Sequence, residues 1–446
     1  MARAARLIMD IGYRRVVSLS AHHRERETYR AACRPQLPCE DLRGTPGKGL
    51  GGIGPLVWSH LIRRGKIVGQ LTDQHGDGVC VGVSMRALPL TIYNFDLKEL
   101  QLVISSNVEG SIKSTIKMVS LSDVESSNSL IFSTLTPLVA LFVGATSGIG
   151  EATLKKFAKY SKQPRAYFIG RSQDAADRII TECKALNSEG EYIFRRADVS
   201  LIKVVDEVCE EIKTKEKFLN ILFLSQGVMS MDRSVTSENI HLLAALNYYS
   251  RLRFIVNLLP LLEQATSLRR VVTVGGGSKE GLLDATDFPA LHVPREKLRG
   301  HLTTLITLGL EAVAKTAPGV SFVHDYPGTV PTALYRNIGG PPTAAIDTFV
   351  SIEESGQRHL FLATSAMFPT QSGQEAGVEL PGRLEIATGT TGEIGSSVYS
   401  VGSDCESASP AAMELLAELR RVGMVEEVWR HTDSEFRRVT GVEEDS

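Results

Sequence analysis

The sequence predicts an α/β fold: a doubly wound parallel sheet with helices on both faces. Two features predict it. From Met118 onward, short apolar runs alternate with stretches of helical periodicity, in units of roughly 30 residues, the length of a βαβ crossover. The apolar runs are also continuous rather than alternating, as in Leu138–Val143, the mark of strands covered on both faces. One main domain, 118–446, is expected behind a poorly patterned N-terminal extension, 1–117.

The elements follow in order. Val119–Ser133 is a polar lead-in with a short helix, and Leu138–Val143 is the first strand of the series. Helical spacing over Glu151–Tyr160, Asp174–Leu186 and Leu201–Lys213 alternates with strands Ala166–Ile169, Glu191–Arg195 and Leu219–Leu224. A long helical stretch, Ile240–Leu262, contains Asn247 and leads to strand Arg270–Val274. Helix Leu298–Ala314 precedes strand Val320–His324. Ala387–Val401 supplies a last short strand and Pro410–Val425 a C-terminal helix. No internal repeat or long low-complexity tract is present.

Composition excludes several functions. With 49 Lys+Arg against 51 Asp+Glu and evenly mixed signs, the chain lacks the basic face of a generic nucleic-acid binder. No apolar run approaches the ~20 residues of a membrane span. The 6 cysteines form no CxxC and have no histidine at metal-ligand spacing, so no metal site is expected and a reducing, cytoplasmic setting is. The arginines of Met1–Arg34 also fit a mitochondrial presequence, but Asp10, Glu25 and Glu27 interrupt it. Glycine clusters at Gly44–Gly54 and Gly76–Gly82 read as loops, with no sustained pattern between them, and Leu88–Ile104 has room for one or two strands. GKGLGGIG lacks the order of a phosphate loop.

The strongest motif is Gly144-Ala-Thr-Ser147-Gly148-Ile149-Gly150, directly after a strand and opening a helix. Glycines there let the backbone approach a pyrophosphate, and the helix N-terminus offers free N–H groups and partial positive charge. This is a Rossmann-like arrangement. The segment resembles the glycine fingerprint of the short-chain dehydrogenases/reductases, with Val143 where that fingerprint usually opens on Thr. Asp198-Val199 resembles the family's Asp-Val, whose carboxylate accepts from the adenine amino group. Pro327-Gly328-Thr-Val-Pro-Thr332 is similar to its PGxVxT loop, which implies that Thr332 contacts the nicotinamide carboxamide. Gly227, in LSQG, keeps the backbone approach to the adenine ribose, but the family's asparagines before it are lost, which leaves open how the central sheet is pinned. Arg171 follows the second strand. A carboxylate there would hold a bare ribose, whereas an arginine pairs with a 2′-phosphate, so NADP is favoured over NAD. The resemblance runs from about Met118 to Gly441. Phrases such as YFIGRSQ and EIATGTTGEIGSSVYSV look like a fungal branch common in secondary-metabolite clusters, in which a segment like MVSLSDVESSN starts the protein. Met118 then suits an initiator, and 1–117 an extended gene model, an appended segment or a targeting arm.

The active site departs from the family. Hydride transfer to a carbonyl needs a proton donor at the developing alkoxide, normally a Tyr with a Lys four residues on. Tyr-x-x-x-Lys is absent. In family register Pro294 takes the Tyr position and Leu298 the Lys, with Lys297 one residue away. Asn247 falls where the resemblance places the relay Asn. Glycines 275–277 replace the catalytic Ser, leaving Ser278 to substitute if the run bulges. Replacement acids are sought among His292, His301, Tyr248, Tyr249 and Tyr326, of which Tyr248 and Tyr249 read rather as packing residues.

The resulting expectation is an NADP(H)-dependent oxidoreductase acting on a carbonyl or secondary alcohol of a small, hydrophobic molecule. The alternatives are a non-redox isomerase, cyclase or dehydratase on the same scaffold, and a non-catalytic nucleotide-binding protein. The loop after Thr332, Ala333–Pro342, and the helix beyond it are read as a lid. The apolar stripes of the two long helices suit either pairing between copies across a two-fold axis, which the resemblance implies, or the core.

Overall fold

The computed structural model describes residues 58–63, 66–72, 78–84, 119–135, 137–230, 232–338, 349–373, 377–380 and 384–441. The chain divides into two compact units, 1–101 and 102–446. In the first, β1 (Trp58–Arg63), β2 (Lys66–Thr72) and β3 (Gly78–Ser84) form an antiparallel sheet in that order. The sequence reading saw no pattern here and is corrected. Ladder pairing does not demand clean alternation. The strands sought in Leu88–Ile104 lie outside the described residues.

The second unit opens with α1 (Leu121–Ser129) and α2 (Ile131–Thr134). Ser120 caps α1 by accepting the Asp123 N–H. The alternating series then runs β4 (Val139–Val143), α3 (Gly148–Tyr160), β5 (Arg165–Gly170), α4 (Gln173–Leu186), β6 (Glu191–Arg196), α5 (Ile202–Lys215) and β7 (Ile221–Leu224). A short α6 (Leu242–Ala244) passes through a π-turn (Ala245–Tyr249) into α7 (Ser250–Gln264). Next come β8 (Arg270–Val274), α8 (Arg295–Ala314), β9 (Ser321–Asp325), a 3-10 turn (Ala333–Ile338) and α9 (Ile352–Thr364). The chain ends in β10 (Val398–Val401), α10 (Pro410–Arg421) and α11 (Met424–Thr440).

The sheet is parallel, in the order β10-β9-β8-β7-β4-β5-β6. Alternate residues of each central strand feed two separate cores. Val139, Leu141 and Val143 pack with α5, α7, α8 and α11, whereas Ala140 and Phe142 pack with α3, α4 and α9. This two-sided burial is why β4 reads as one unbroken apolar run. The winding direction reverses between β4 and β7, so a crevice opens at their carboxyl ends, the usual ligand position in such sheets.

Two further expectations change. The predicted helix Pro410–Val425 is divided: Gly423, with φ +77°, ends α10 and lets the chain turn into the unforeseen α11. The helix past the lid loop, α9, is a packed layer rather than a cover. Its Gly356 lies so close to α3 that a Cβ would stand 3.0 Å from the Ala152 carbonyl oxygen, and its residues 355–364 are buried. Of the lid loop, 339–342 lie outside the described residues. Within the chain the apolar faces of α7 and α8 share one core with α11, and from the π-turn Tyr248 meets Thr432 and Tyr249 Oη lies 2.6 Å from His431 Nε2.

Candidate active site

At the switch point the glycine turn packs tightly against β7. Gly144 has φ +80°, and a Cβ there would stand 2.5 Å from the Gln226 backbone nitrogen. A Cβ on Gly150 would stand 2.5 Å from Ser225 Oγ. Both glycines are therefore required by close approach. Ser147, exposed and extended, precedes α3 without capping it by a side-chain hydrogen bond. The first N–H groups of α3, at Gly148 and Ile149, thus stay available to an anion, aided by the helix dipole.

The loop after β9 closes over this turn. Pro327 and Gly328 (φ +78°) swing the chain so that Thr332 Cγ2 lies 3.2 Å from a Cβ position on Gly148. On the far side, Asp198 is exposed, its Oδ1 accepting from the Ser200 N–H and Oγ–H, and Val199 is buried. Arg171 is exposed just past β5. Gly227 faces Asn247, whose Oδ1 is 3.2 Å from a Cβ position there, while Asn247 Nδ2 donates to the Leu243 carbonyl at 2.9 Å. Thus Gly144, Ser147, Gly148, Ile149, Gly150, Thr332, Gly227 and Asn247 share one crevice. Its open N–H groups, backed by glycines that admit no Cβ, suit a dinucleotide pyrophosphate.

The sheet is pinned by a residue the sequence reading missed. Arg251 is fully buried and donates to the Gln226 carbonyl, Thr273 Oγ1 and the Val274 carbonyl, each at 2.6 Å. It ties the end of β7 to the end of β8 in place of the lost asparagines. Desolvation pulls its pKa down to about 10, so it is still charged at neutral pH. An arginine inside the apolar face of a long helix was the available signal.

The glycine run after β8 explains the missing Ser. A Cβ on Gly275 would lie 3.0 Å from His324 Nε2 and 3.6 Å from Arg251 Nη1. Side chains on Gly276 and Gly277 would collide with Thr303 Oγ1 and the His324 carbonyl. Ser278 follows, half-buried with φ +65°, its N–H donating to Ser400 Oγ at 2.6 Å. Pro294 is the N-cap of α8, so the family's Tyr position falls before the helix, and Lys297 is exposed on its first turn.

Most replacement acids are committed elsewhere. Buried His301 accepts the Asp284 N–H at Nδ1 and donates from Nε2 to the Phe288 carbonyl, and burial lowers its pKa. Tyr248 and Tyr249 are buried against α11, with their pKa values raised by desolvation. His292 is exposed on the loop before α8. Tyr326 differs: it is half-buried at the head of the Pro327-Gly328 loop, with the Arg299 guanidinium 4.7 Å and the Lys279 ammonium 5.4 Å from its ring centroid.

Fold and crevice together define a dinucleotide-binding α/β protein. The family model for short chain dehydrogenases matches residues 138–284. An oxidoreductase of Emericella nidulans is 40% identical over 330 residues, covering 71% of this chain and 98% of the relative. An oxidoreductase of Emericella variicolor is 35% identical, covering 73% of this chain and 98% of its own length. A short-chain dehydrogenase/reductase of Stachybotrys chartarum is 29% identical, covering 66% and 90%. The chain belongs to the short-chain dehydrogenase/reductase family, and it is an oxidoreductase.

Proposed function

We propose that this oxidoreductase moves a hydride between NADP(H) and a carbonyl or secondary alcohol of a small hydrophobic molecule in secondary-metabolite biosynthesis. The observation that carries the reading is the closure of the Thr332 loop over the uncapped N-terminus of α3 at Gly148. It brings the predicted pyrophosphate and nicotinamide contacts together. When bound, the cofactor supplies or accepts the hydride. Gly144–Gly150 hold the pyrophosphate, Asp198 and Val199 the adenine, Gly227 the ribose and Thr332 the carboxamide. Arg171 reads the 2′-phosphate. Tyr326 gives its phenolic proton to the developing alkoxide, with Arg299 and Lys279 beside the ring. Ser278 orients the carbonyl, Asn247 holds a relay water, and Lys297 reaches the ribose hydroxyls.

Residues 118–446 form the catalytic domain in this reading, since Val119 is buried and its carbonyl accepts from Arg358. The buried free thiols Cys183, Cys209 and Cys405 suit the cytoplasm. Among the described residues no helix is long and apolar enough to cross a membrane.

The test is a fluorescence titration with NADPH and NADH, then a panel of ketones and alcohols followed by reduced-cofactor absorbance. Saturable NADPH binding and turnover of a panel member are expected. No binding of either nucleotide sinks the proposal. The absent Tyr-x-x-x-Lys favours a second reading, a non-redox isomerase, cyclase or dehydratase; a product differing from substrate by two hydrogens excludes it.

A further inference from the structure

Arg171 has an unforeseen neighbour. Arg196 closes β6 and is the register partner of Gly170, the residue before Arg171. The Ala197 N–H also donates to the Gly170 carbonyl at 3.0 Å, which locks the two strand ends together. Other arginines around this part of the sheet are paired: Arg165 with Glu191 and Glu216, Arg178 with Glu151 and Glu182, and Arg195 with Glu211. Arg171 and Arg196 are exposed and make no ion pair or side-chain hydrogen bond among the described residues.

Strand alternation separates Arg196 from Arg195. Arg195 reaches Glu211 on α5, so Arg196 faces the opposite side, toward α3 and α4. That side is where the glycine turn stands. A Cβ on Gly170 would collide with Thr146 of the turn, and α4, capped by Ser172, starts just beyond Arg171. Neither guanidinium is held by a carboxylate among the described residues, so both stay available to an external anion. The corner thus brings two strand-end arginines and a helix N-terminus, whose first turn also carries Asp174, beside a phosphate-binding turn.

We infer that Arg196 is the second arm of a clamp on the cofactor's 2′-phosphate and, with Arg171, sets the preference for NADP(H) over NAD(H). This rests on the cofactor reading above. The two arms come from different strand ends, so each guanidinium takes a different phosphate oxygen.

The experiment is equilibrium binding by cofactor fluorescence on the full chain, independent of turnover. NADPH and NADH are titrated into the wild type, Arg171→Ala, Arg196→Ala, Arg196→Lys and the control Arg195→Ala, with 2′,5′-ADP and 5′-ADP as competitors. Arg196→Ala is expected to weaken NADPH by about tenfold, the effect of one charge-assisted contact, and to leave NADH within about twofold. It should equally weaken competition by 2′,5′-ADP but not by 5′-ADP. Arg196→Lys retains part of the preference and Arg195→Ala all of it. A wild type that prefers NADPH, with Arg196→Ala unchanged or weakened equally toward NADH, overturns the clamp and leaves the cofactor reading standing. A wild type that binds neither nucleotide overturns both.

Discussion

The Arg251 guanidinium donates a 2.6 Å hydrogen bond to the backbone carbonyl of Gln226. This joins the helix that carries Asn247 to the strand end that carries Gly227, so a buried charge fixes the floor of the cofactor crevice. Removing one partner of a buried hydrogen bond leaves the other unsatisfied, at about 1–3 kcal/mol per group. Arg251→Ala removes four hydrogen bonds, to Thr273 Oγ1 and the carbonyls of Leu246, Val274 and Gln226, and is expected to lower stability by about 3 kcal/mol or more, read by urea unfolding. Gln226→Ala, which keeps the carbonyl, should fall well short of that. Equal losses would count against the pin.

Stability should depend on pH through His324. Its Nε2 accepts the Gly276 N–H at 3.1 Å, and desolvation holds its pKa down to about 3. The unfolded state, with a pKa near 6.5, binds the proton first. Stability is therefore fully present above about pH 6.5 and falls as pH drops toward 3, by about 2 kcal/mol between 6.5 and 5 for this group. Burial lowers His241, His301 and His431 in the same direction. Glu280 and Glu311 oppose it: burial raises them, so their ionisation destabilises as pH rises above the ordinary carboxylate value. His324→Gln should flatten the slope of urea stability between pH 5 and 6.5; an unchanged slope would refute the assignment.

Tyr326→Phe keeps the ring beside Lys279 and Arg299 but removes the proton. Once a substrate has been found, turnover should fall about a hundredfold or more with NADPH affinity unchanged. Unaltered turnover moves the proton to another group.

The glycines after β8 should resist restoration of a family-like serine. Gly276→Ser drives Cβ into Thr303 Oγ1, and Gly277→Ala drives it into the His324 carbonyl. Each should lower the melting temperature far more than Gly423→Ala, where the space is open and only the left-handed backbone costs about 1–2 kcal/mol. Similar shifts at all of these positions would contradict the packing.

Ending the chain before Met424 removes the cover over Tyr248, Tyr249 and Phe288. The shortened chain should self-associate in light scattering at concentrations where the full chain does not change mass. Identical masses would show that α11 shields nothing.

Much of this was legible in the chain. The continuous apolar runs and helical periods determined the parallel sheet, because burial on two faces leaves a direct mark on residue type. The turn at Gly144–Gly150 was legible too, since only glycine tolerates the backbone distances there. The first antiparallel sheet and α11 were not, as weak local patterns are settled by pairing and packing. Nor was the chemistry at the end of β8. The glycine run announced that the Ser was gone, but only the tertiary structure put His324 and Arg251 beside its position and set Arg299 and Lys279 against Tyr326. Those contacts join residues from different strands and helices, and no spacing along one segment records a distance across the sheet. Arg171 was visible as a single cation after a strand; Arg196 became its neighbour only when β5 and β6 paired in register.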